Sequence, residues 1–241
     1  MPAHAHYVLT CSPRSAKSWF QQVRNLCNQY GLPNPMQLLD CPPSKDQFRK
    51  ESKQKIAEYW HSKFMKETKK LKSLKYFKPE LYSLTKPHYM WNTAAGNPFE
   101  CSKSTVLARM VSGRYRTDML CRHWNSNRGG YCRMFSCHQI PGTLEHLLAT
   151  CPALDNTRES LYEMWLDKSV MYPSLHATIR AVLACAVPTT IVQFVLEPLG
   201  LPLVLADYLS HGEQFAQQLS YLTRTFAFYM HRKYQKLLKS I

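Results

Sequence analysis

The chain has 241 residues, of which 45% are hydrophobic, and a formal net charge of +15. It can therefore bury a core in one or two domains, and the absence of a signal-peptide pattern and of about 18 uninterrupted apolar residues argues against secretion and a membrane span. Nine cysteines, an odd number, favour a reducing compartment over a disulfide framework. We expect an intracellular protein, nuclear and/or cytoplasmic.

The positive charge is unevenly distributed. Residues 1–90 carry a net charge of +10 and residues 91–141 a net charge of +5, whereas residues 142–241 are neutral overall. Such asymmetry is typical of a protein with a polyanion partner, nucleic acid above all, and a merely solubilising basic surface is the alternative.

The apolar spacing predicts helices from the N-terminal part onward. A first helix over residues 15–30, with Trp19, Val23 and Cys27 on one face, is expected to end at Gly31. A long, lysine-rich helix follows from Lys45, with apolar residues at helical spacing: Phe48, Ile56, Trp60 and Phe64. Residues 76–99, broken by three prolines, are predicted to form a connector.

A basic helix pair is predicted next. Its first helix covers Val106–Val111 and is capped by Ser102 or Ser104, because serine is a favoured N-cap residue. Gly113 permits a bend, and a second helix carries three apolar or sulfur-containing residues: Tyr115, Met119 and Cys121.

The C-terminal part also has helical periodicity. A helix over residues 153–168 turns Leu154, Leu161, Met164 and Trp165 inward, and a long final helix extends from about Ala206 to Lys239. We find neither an Asn-Gly hairpin signal nor sustained period-two alternation. The predicted fold is all-α, an irregular helical assembly with a small Cys₃His zinc module in the middle and a long C-terminal helix. We expect three regions: a basic helical linker over 1–99, the helix pair with the zinc module over 100–170, and C-terminal helices over 171–241.

The zinc prediction rests on the spacing Cys132-x4-Cys137-x8-His146-x4-Cys151. Three sulfurs and one imidazole satisfy tetrahedral Zn²⁺ without leaving an open position, which is typical of a structural site. Ordinary buried thiols with a surface histidine are the alternative, and a catalytic zinc assisted by Glu145 is a weaker one. Three nearby residues are possible substitutes if one ligand is misassigned: Cys121, His123 and His138.

Candidate nucleic-acid contacts precede this module. Arginine pairs bidentately with phosphate, and five arginines are clustered just before the zinc ligands: Arg109, Arg114, Arg116, Arg122 and Arg128. The lysine run over 63–75 is a competing position, although a solvated helix face explains it almost as well. The sequence has no phosphate-binding loop, nucleophile elbow or HExxH motif, so no residue is assigned a catalytic role.

These residues resemble a known family. The strings RMVSGRYRTDMLCRHW and CRMFSCHQIPGTLEHLLATCPALDNTR are similar to the segment after the thumb in reverse transcriptases of non-LTR (LINE-type) retrotransposons. That pattern has a basic helix pair with a Gly-x-Tyr step (Gly113 to Tyr115), a Cys/Cys/His/Cys cluster, a stretch matching Gly142–Leu154, and an arginine at Arg158. The similarity extends from about residue 17 to residue 238, and the four-residue first gap between cysteines is wider than is common.

The resemblance implies a non-catalytic, zinc-stabilised C-terminal fragment that binds template RNA or target DNA. In the family, the polymerase and endonuclease lie N-terminal to this element, so this chain is expected to lack both active sites. One structural Zn²⁺ and a nucleic acid are the expected cofactor and partner, with no membrane and no small-molecule substrate. The alternative is a helical protein-interaction module without nucleic-acid binding.

Overall fold

A computed structural model of the chain describes residues 19–81, 88–92, 94–122, 129–137, 139–185 and 187–240. Among the described residues, helices are the only regular secondary structure, and one isolated bridge joins Tyr131 and Pro141. The predicted all-α class is therefore confirmed. The helices are α1 (Trp19–Tyr30), α2 (Pro35–Asp40), α3 (Lys45–Lys70), α4 (Tyr89–Asn92), α5 (Pro98–Val111), α6 (Asp118–Cys121), α7 (Asp155–Ser169), α8 (Pro173–Ala184), α9 (Pro188–Leu196) and α10 (Pro202–Leu238).

The chain divides into two compact units, with the boundary between Glu67 and Thr68. In the first unit, α1 ends at Gly31, whose φ of 63° lies in the left-handed region that glycine adopts without strain. The Lys55 ammonium donates a hydrogen bond to the Gly31 carbonyl at 2.7 Å, and the Tyr30 and Tyr59 rings meet edge to face at 5.0 Å. The predicted end of the first helix is confirmed.

Two tryptophans of the first unit are not core residues. Trp19 is 75% exposed and Trp60 is 42% exposed, whereas Cys27 is buried. The ammonium of Lys63 lies 5.0 Å from the Trp60 ring centroid, a cation–π contact that suits an exposed aromatic side chain. Lysines occur on most sides of α3, which leaves little continuous apolar surface for burial.

The second unit packs around aromatic side chains from three helices. Trp165 of α7, fully buried, lies 4.9 Å from Phe194 of α9 and 4.6 Å from Phe226 of α10, between ring centroids. The Trp165 indole also donates a hydrogen bond to the Leu222 carbonyl at 3.1 Å, so its polar atom is satisfied in the core. Gly212 interrupts the predicted single last helix with φ 68° and ψ −140°, so α10 consists of two helical segments.

The basic helix pair begins earlier and ends differently than predicted. Asn97 caps α5 by accepting hydrogen bonds from the next two free backbone amides, and Pro98 occupies the first helical position. The predicted cap at Ser102 or Ser104 is therefore wrong, and the buried Ser104 hydroxyl instead donates to the Met90 carbonyl at 3.0 Å. The bend at Gly113 is confirmed by its φ of 67°.

The second helix of the pair is only one turn long. Thr117 caps α6, so Tyr115 precedes the helix, and its buried ring packs edge to face against His231 of α10 at 5.6 Å.

No helix among the described residues combines the length and the apolar character that a membrane span requires.

A buried ionic network joins α5 to α10. The Glu100 carboxylate accepts hydrogen bonds from the Lys103 ammonium at 2.7 Å and from the Arg224 guanidinium at 2.8 Å. Burial raises the pKa of Glu100, but these two cations outweigh burial and hold that pKa below its ordinary value. The helix that leads to the candidate site is thereby fixed to the long C-terminal helix.

Candidate metal centre and the adjoining basic groove

The four predicted metal ligands lie together. The Sγ atoms of Cys132, Cys137 and Cys151 and a ring nitrogen of His146 all lie within 4.8 Å of one another, and all four residues are buried. The Cys137 and Cys151 sulfurs are 3.6 Å apart. Tetrahedral ligation with Zn–S bonds of about 2.3 Å places two sulfurs roughly 3.8 Å apart, so this spacing suits a metal ion of that kind.

A tight loop brings the first two cysteines together. The Cys132 amide donates to the Ile140 carbonyl at 2.8 Å, and the Ile140 amide donates to the Cys137 carbonyl at 3.0 Å. A short 3₁₀ turn over Phe135–Cys137 takes up the four-residue gap, and its first bond joins the Cys137 amide to the Met134 carbonyl. The wide first spacing is therefore compatible with the predicted turn geometry.

The second ligand pair comes from a π-helical turn. Residues His146–Thr150 form this turn, and the Cys151 amide donates to the His146 carbonyl at 2.7 Å, five residues back. Pro152 follows and begins a 3₁₀ turn, so the π turn ends before it. Single π turns are rare and frequently mark functional sites, and here the closing hydrogen bond joins the two ligand residues.

The His146 ring is oriented as a metal ligand would be. Its Nδ1 lies 3.1 Å from the Thr150 hydroxyl, whereas its Nε2 is buried with no hydrogen-bond partner. Metal-binding histidines usually donate the second ring N–H to an oxygen, which leaves the other nitrogen unprotonated and free to ligate. Burial, and then the charge of Arg158, lowers the pKa of His146, which favours the neutral, ligating form.

Burial and mutual proximity disfavour the thiolate forms of the clustered cysteines. Burial raises the pKa of Cys132 and also that of Cys151, which the neighbouring Cys137 raises further. Three thiolates confined to one buried site would repel one another, and a divalent cation removes that repulsion when it displaces the protons. The donor set therefore fits a soft divalent ion.

Arg158 of α7 makes hydrogen bonds to the end of the π turn. This buried guanidinium donates from Nε to the Leu148 carbonyl at 3.0 Å and from Nη2 to the Cys151 carbonyl at 2.9 Å. Its Nη1 pairs with Asp155. The Cys151 carbonyl also accepts a hydrogen bond from the Leu154 amide at 3.0 Å, so Arg158 connects the end of the π turn to the 3₁₀ turn that follows it.

A second buried group connects the loop that carries Cys132 and Cys137, here called the metal loop, to α6 and α10. The Asp118 carboxylate accepts hydrogen bonds from Arg133 Nε at 2.8 Å and from the Tyr234 hydroxyl at 2.6 Å. The Met119 amide donates to the Gly142 carbonyl at 3.1 Å, and an added Cβ at Gly142 would lie only 2.6 Å from the Asp118 Cβ. The loop, the short helix and the C-terminal helix are thus held at close range.

Glu145 is engaged away from the four ligands. Its carboxylate pairs with Lys75 and accepts a hydrogen bond from the Tyr76 hydroxyl at 3.0 Å. Burial raises its pKa, but the Lys75 and Tyr76 hydrogen bonds prevail and keep that pKa below its ordinary value. The substitute ligand Cys121 lies outside the cluster, and the other two substitutes, His123 and His138, lie outside the described residues.

Three of the five predicted arginines border one groove. A cavity of about 700 Å³ is lined by Val106, Arg109, Gly113, Arg114, Tyr115, Arg116, Leu120, His231 and Gln235. None of these lining residues is acidic. Arg122 is exposed, but its stem lies against Gly130 of the metal loop rather than in the groove, and Arg128 lies outside the described residues.

A second basic groove lies on the C-terminal helix. It has a volume of about 570 Å³ and is lined by Thr157, Tyr229, His231, Arg232, Lys233, Gln235, Lys236 and Lys239. The last turns of α10 are therefore basic, although residues 142–241 are neutral overall. The zero net charge of residues 142–241 conceals a separation of acidic and basic residues along the chain.

No family model, curated protein or solved structure matches this chain.

Proposed function

We propose that Cys132, Cys137, His146 and Cys151 bind one structural Zn²⁺. The close grouping of three cysteine sulfurs with a ring nitrogen of His146, whose buried Nε2 has no hydrogen-bond partner, is the observation that carries this proposal. Zinc supplies charge compensation and cross-links the turn to the π-helical segment, and four protein ligands leave no position for a reacting water. The centre is therefore a scaffold, and no residue around it is assigned a catalytic role.

We propose further that the chain is a non-catalytic nucleic-acid-binding fragment, related to the C-terminal region of a retrotransposon reverse transcriptase. The grouping of Arg109, Arg114 and Arg116 around one groove, beside the metal centre, supports this function. The hydrogen bond from the Met119 amide to the Gly142 carbonyl fixes the backbone just after these arginines. The segment therefore loses little backbone entropy when the arginines bind phosphate. Nothing in this groove points to base-specific contacts, so binding should depend weakly on sequence.

Metal analysis tests the zinc proposal. Protein purified without chelators should contain one equivalent of zinc, and the Cys151→Ser variant should lose it. Cys185→Ser is the matched control, because Cys185 is an exposed thiol outside the cluster. Unchanged zinc stoichiometry in Cys151→Ser would remove Cys151 from the ligand set.

Fluorescence anisotropy with labelled oligouridine tests nucleic-acid binding. The parent should bind, with a log–log salt slope of roughly −0.7 per phosphate contacted. Replacing Arg114 and Arg116 by Ala should weaken binding similarly across unrelated sequences and flatten the slope by about two contacts. Absence of RNA and DNA binding even at low salt would refute this function and favour a protein-interaction module. If Lys69→Ala/Lys70→Ala abolishes binding while the arginine variant binds normally, the site is on α3.

A further inference from the structure

The C-terminal end of α10 is strongly basic. After Glu213 the chain has no acidic residue, and the remaining segment contains Arg224, Arg232, Lys233, Lys236 and Lys239. Arg224 is buried in the network with Glu100, whereas Arg232, Lys233, Lys236 and Lys239 are exposed. Four cations at helical spacing therefore occupy one exposed side of the last two turns.

The buried side of the same turns fixes their orientation. Met230 and Tyr234 are buried, and the Tyr234 hydroxyl donates to Asp118, which also accepts a hydrogen bond from Arg133 of the metal loop. The Tyr115 hydroxyl lies 2.8 Å from His231 Nδ1. The basic side of α10 is thus presented by a helix that is anchored to the metal centre and to the arginine segment.

The two grooves adjoin each other. His231 and Gln235 line both the arginine groove and the groove on α10. The residues that line the second groove include no acid, and Asp155, on the neighbouring helix, is paired with Arg158. The two grooves together carry seven cationic side chains: Arg109, Arg114, Arg116, Arg232, Lys233, Lys236 and Lys239.

We infer that the last turns of α10 form the second half of a continuous surface for the phosphate backbone of a polynucleotide. This inference rests on the proposed function and extends its binding site. With a rise of 1.5 Å per residue, Arg232 to Lys239 covers roughly 10 Å along the helix, enough for two or three consecutive phosphates. Charge complementarity and the residues shared with the arginine groove favour this occupant over an acidic protein segment, for which Tyr229 is the one aromatic anchor in the lining of this groove.

The test compares two double variants of equal charge in the full-length, zinc-loaded protein. Arg232→Gln/Lys236→Gln removes two cations from the α10 groove. Arg180→Gln/Lys168→Gln, the control, removes two exposed cations from other positions. Zinc content and thermal midpoint should match the parent in both variants, because all four side chains are exposed. The probes are labelled oligouridine and oligothymidine of equal length, over a series of salt concentrations.

The α10 variant should bind both probes with a salt slope shallower by about 1.4, two contacts at roughly 0.7 each. Where the two lines converge at about 1 M salt, this corresponds to about 25-fold weaker binding at about 0.1 M. The control should bind like the parent. If the parent binds and the α10 variant binds as tightly as the parent and the control, this inference is wrong while the proposed function stands.

Two further outcomes separate the alternatives. If the parent binds neither probe, the proposed function itself fails. If polyglutamate competes as effectively as oligouridine at equal charge, the surface is a general polyanion surface and the assignment to nucleic acid is overturned. A loss for oligouridine alone in the α10 variant would restrict the inference to RNA, and an equal loss for both probes is the expected result of phosphate contacts.

Discussion

Arg158 is the residue whose replacement tests the architecture of the metal module most sharply. Its side chain is 8% exposed and donates to two carbonyls at the end of the π turn, those of Leu148 and Cys151. Each hydrogen bond from a charged donor contributes about 1.5–3 kcal/mol, so Arg158→Met should destabilise the second unit by about 3–6 kcal/mol. The pair with Asp155 adds little, because that carboxylate is half exposed.

The same change should weaken metal binding. Arg158 holds the carbonyl of a ligand residue, and loss of such outer contacts typically lowers metal affinity about 10–100-fold. Zinc affinity is measured by competition with a chromophoric chelator, and stability by urea unfolding of the zinc-loaded protein. Arg158→Lys should lie between the parent and Arg158→Met, because an ammonium cannot reproduce the planar fork that serves both carbonyls.

Arg180→Met is the control for loss of an arginine, since Arg180 is exposed on α8. It should change stability by less than about 0.5 kcal/mol and leave zinc affinity unchanged. An Arg158→Met protein that keeps the parent's zinc affinity and stability would refute the reasoning, because the hydrogen bonds from Arg158 to the two carbonyls would then contribute nothing measurable.

The remaining predictions concern packing, acid sensitivity and ligand orientation. Gly142→Ala should lower the thermal midpoint at a cost of about 1–3 kcal/mol, because its Cβ would lie 2.6 Å from the Asp118 Cβ; an unchanged midpoint would show that the loop yields easily. The carboxylate of Glu100 has a lowered pKa, so it stabilises the fold above its ordinary pKa of 4.5, and this contribution is lost as pH falls through the folded pKa. Glu100→Gln should therefore be less stable than the parent at neutral pH, and the difference should shrink in acid; a constant difference would contradict this. Thr150→Val should lower zinc affinity by up to about 10-fold, since His146 Nδ1 loses its hydroxyl partner, and equal affinity would indicate that water replaces it.

Local patterns were enough to predict the class of fold and the cluster of three cysteines and one histidine. The grouping of these four residues follows from their spacing, because each pair is held by hydrogen bonds within a short segment, such as that from Cys132 to Ile140. The helices with strong periodicity, α7 for example, also lie where the pattern places them. Asn97 was missed as the cap of α5, although Asn followed by Pro is itself a start signal.

Contacts between distant segments could not be predicted in this way. The hydrogen bond from Tyr234 to Asp118 joins residues 116 positions apart, and neither residue type suggests the other. The exposure of Trp60 could not be predicted for the same reason, since spacing marks an apolar position but only the tertiary fold determines what covers it. The basic groove on α10 was hidden by averaging charge over a hundred residues, and a shorter window after Glu213 would have revealed it.

Removal and return of zinc, with nucleic-acid affinity as the readout, tests the central claim most directly. One preparation of the protein is assayed with labelled oligouridine as purified, after dialysis against a chelator, and after addition of one equivalent of Zn²⁺. Hydrogen bonds join the metal loop to α6 and, through Asp118, to α10. Loss of zinc should therefore disorder both ends of the basic groove and weaken nucleic-acid binding, and added zinc should restore that binding. Unchanged affinity and salt slope in protein shown to be zinc-free would contradict the account.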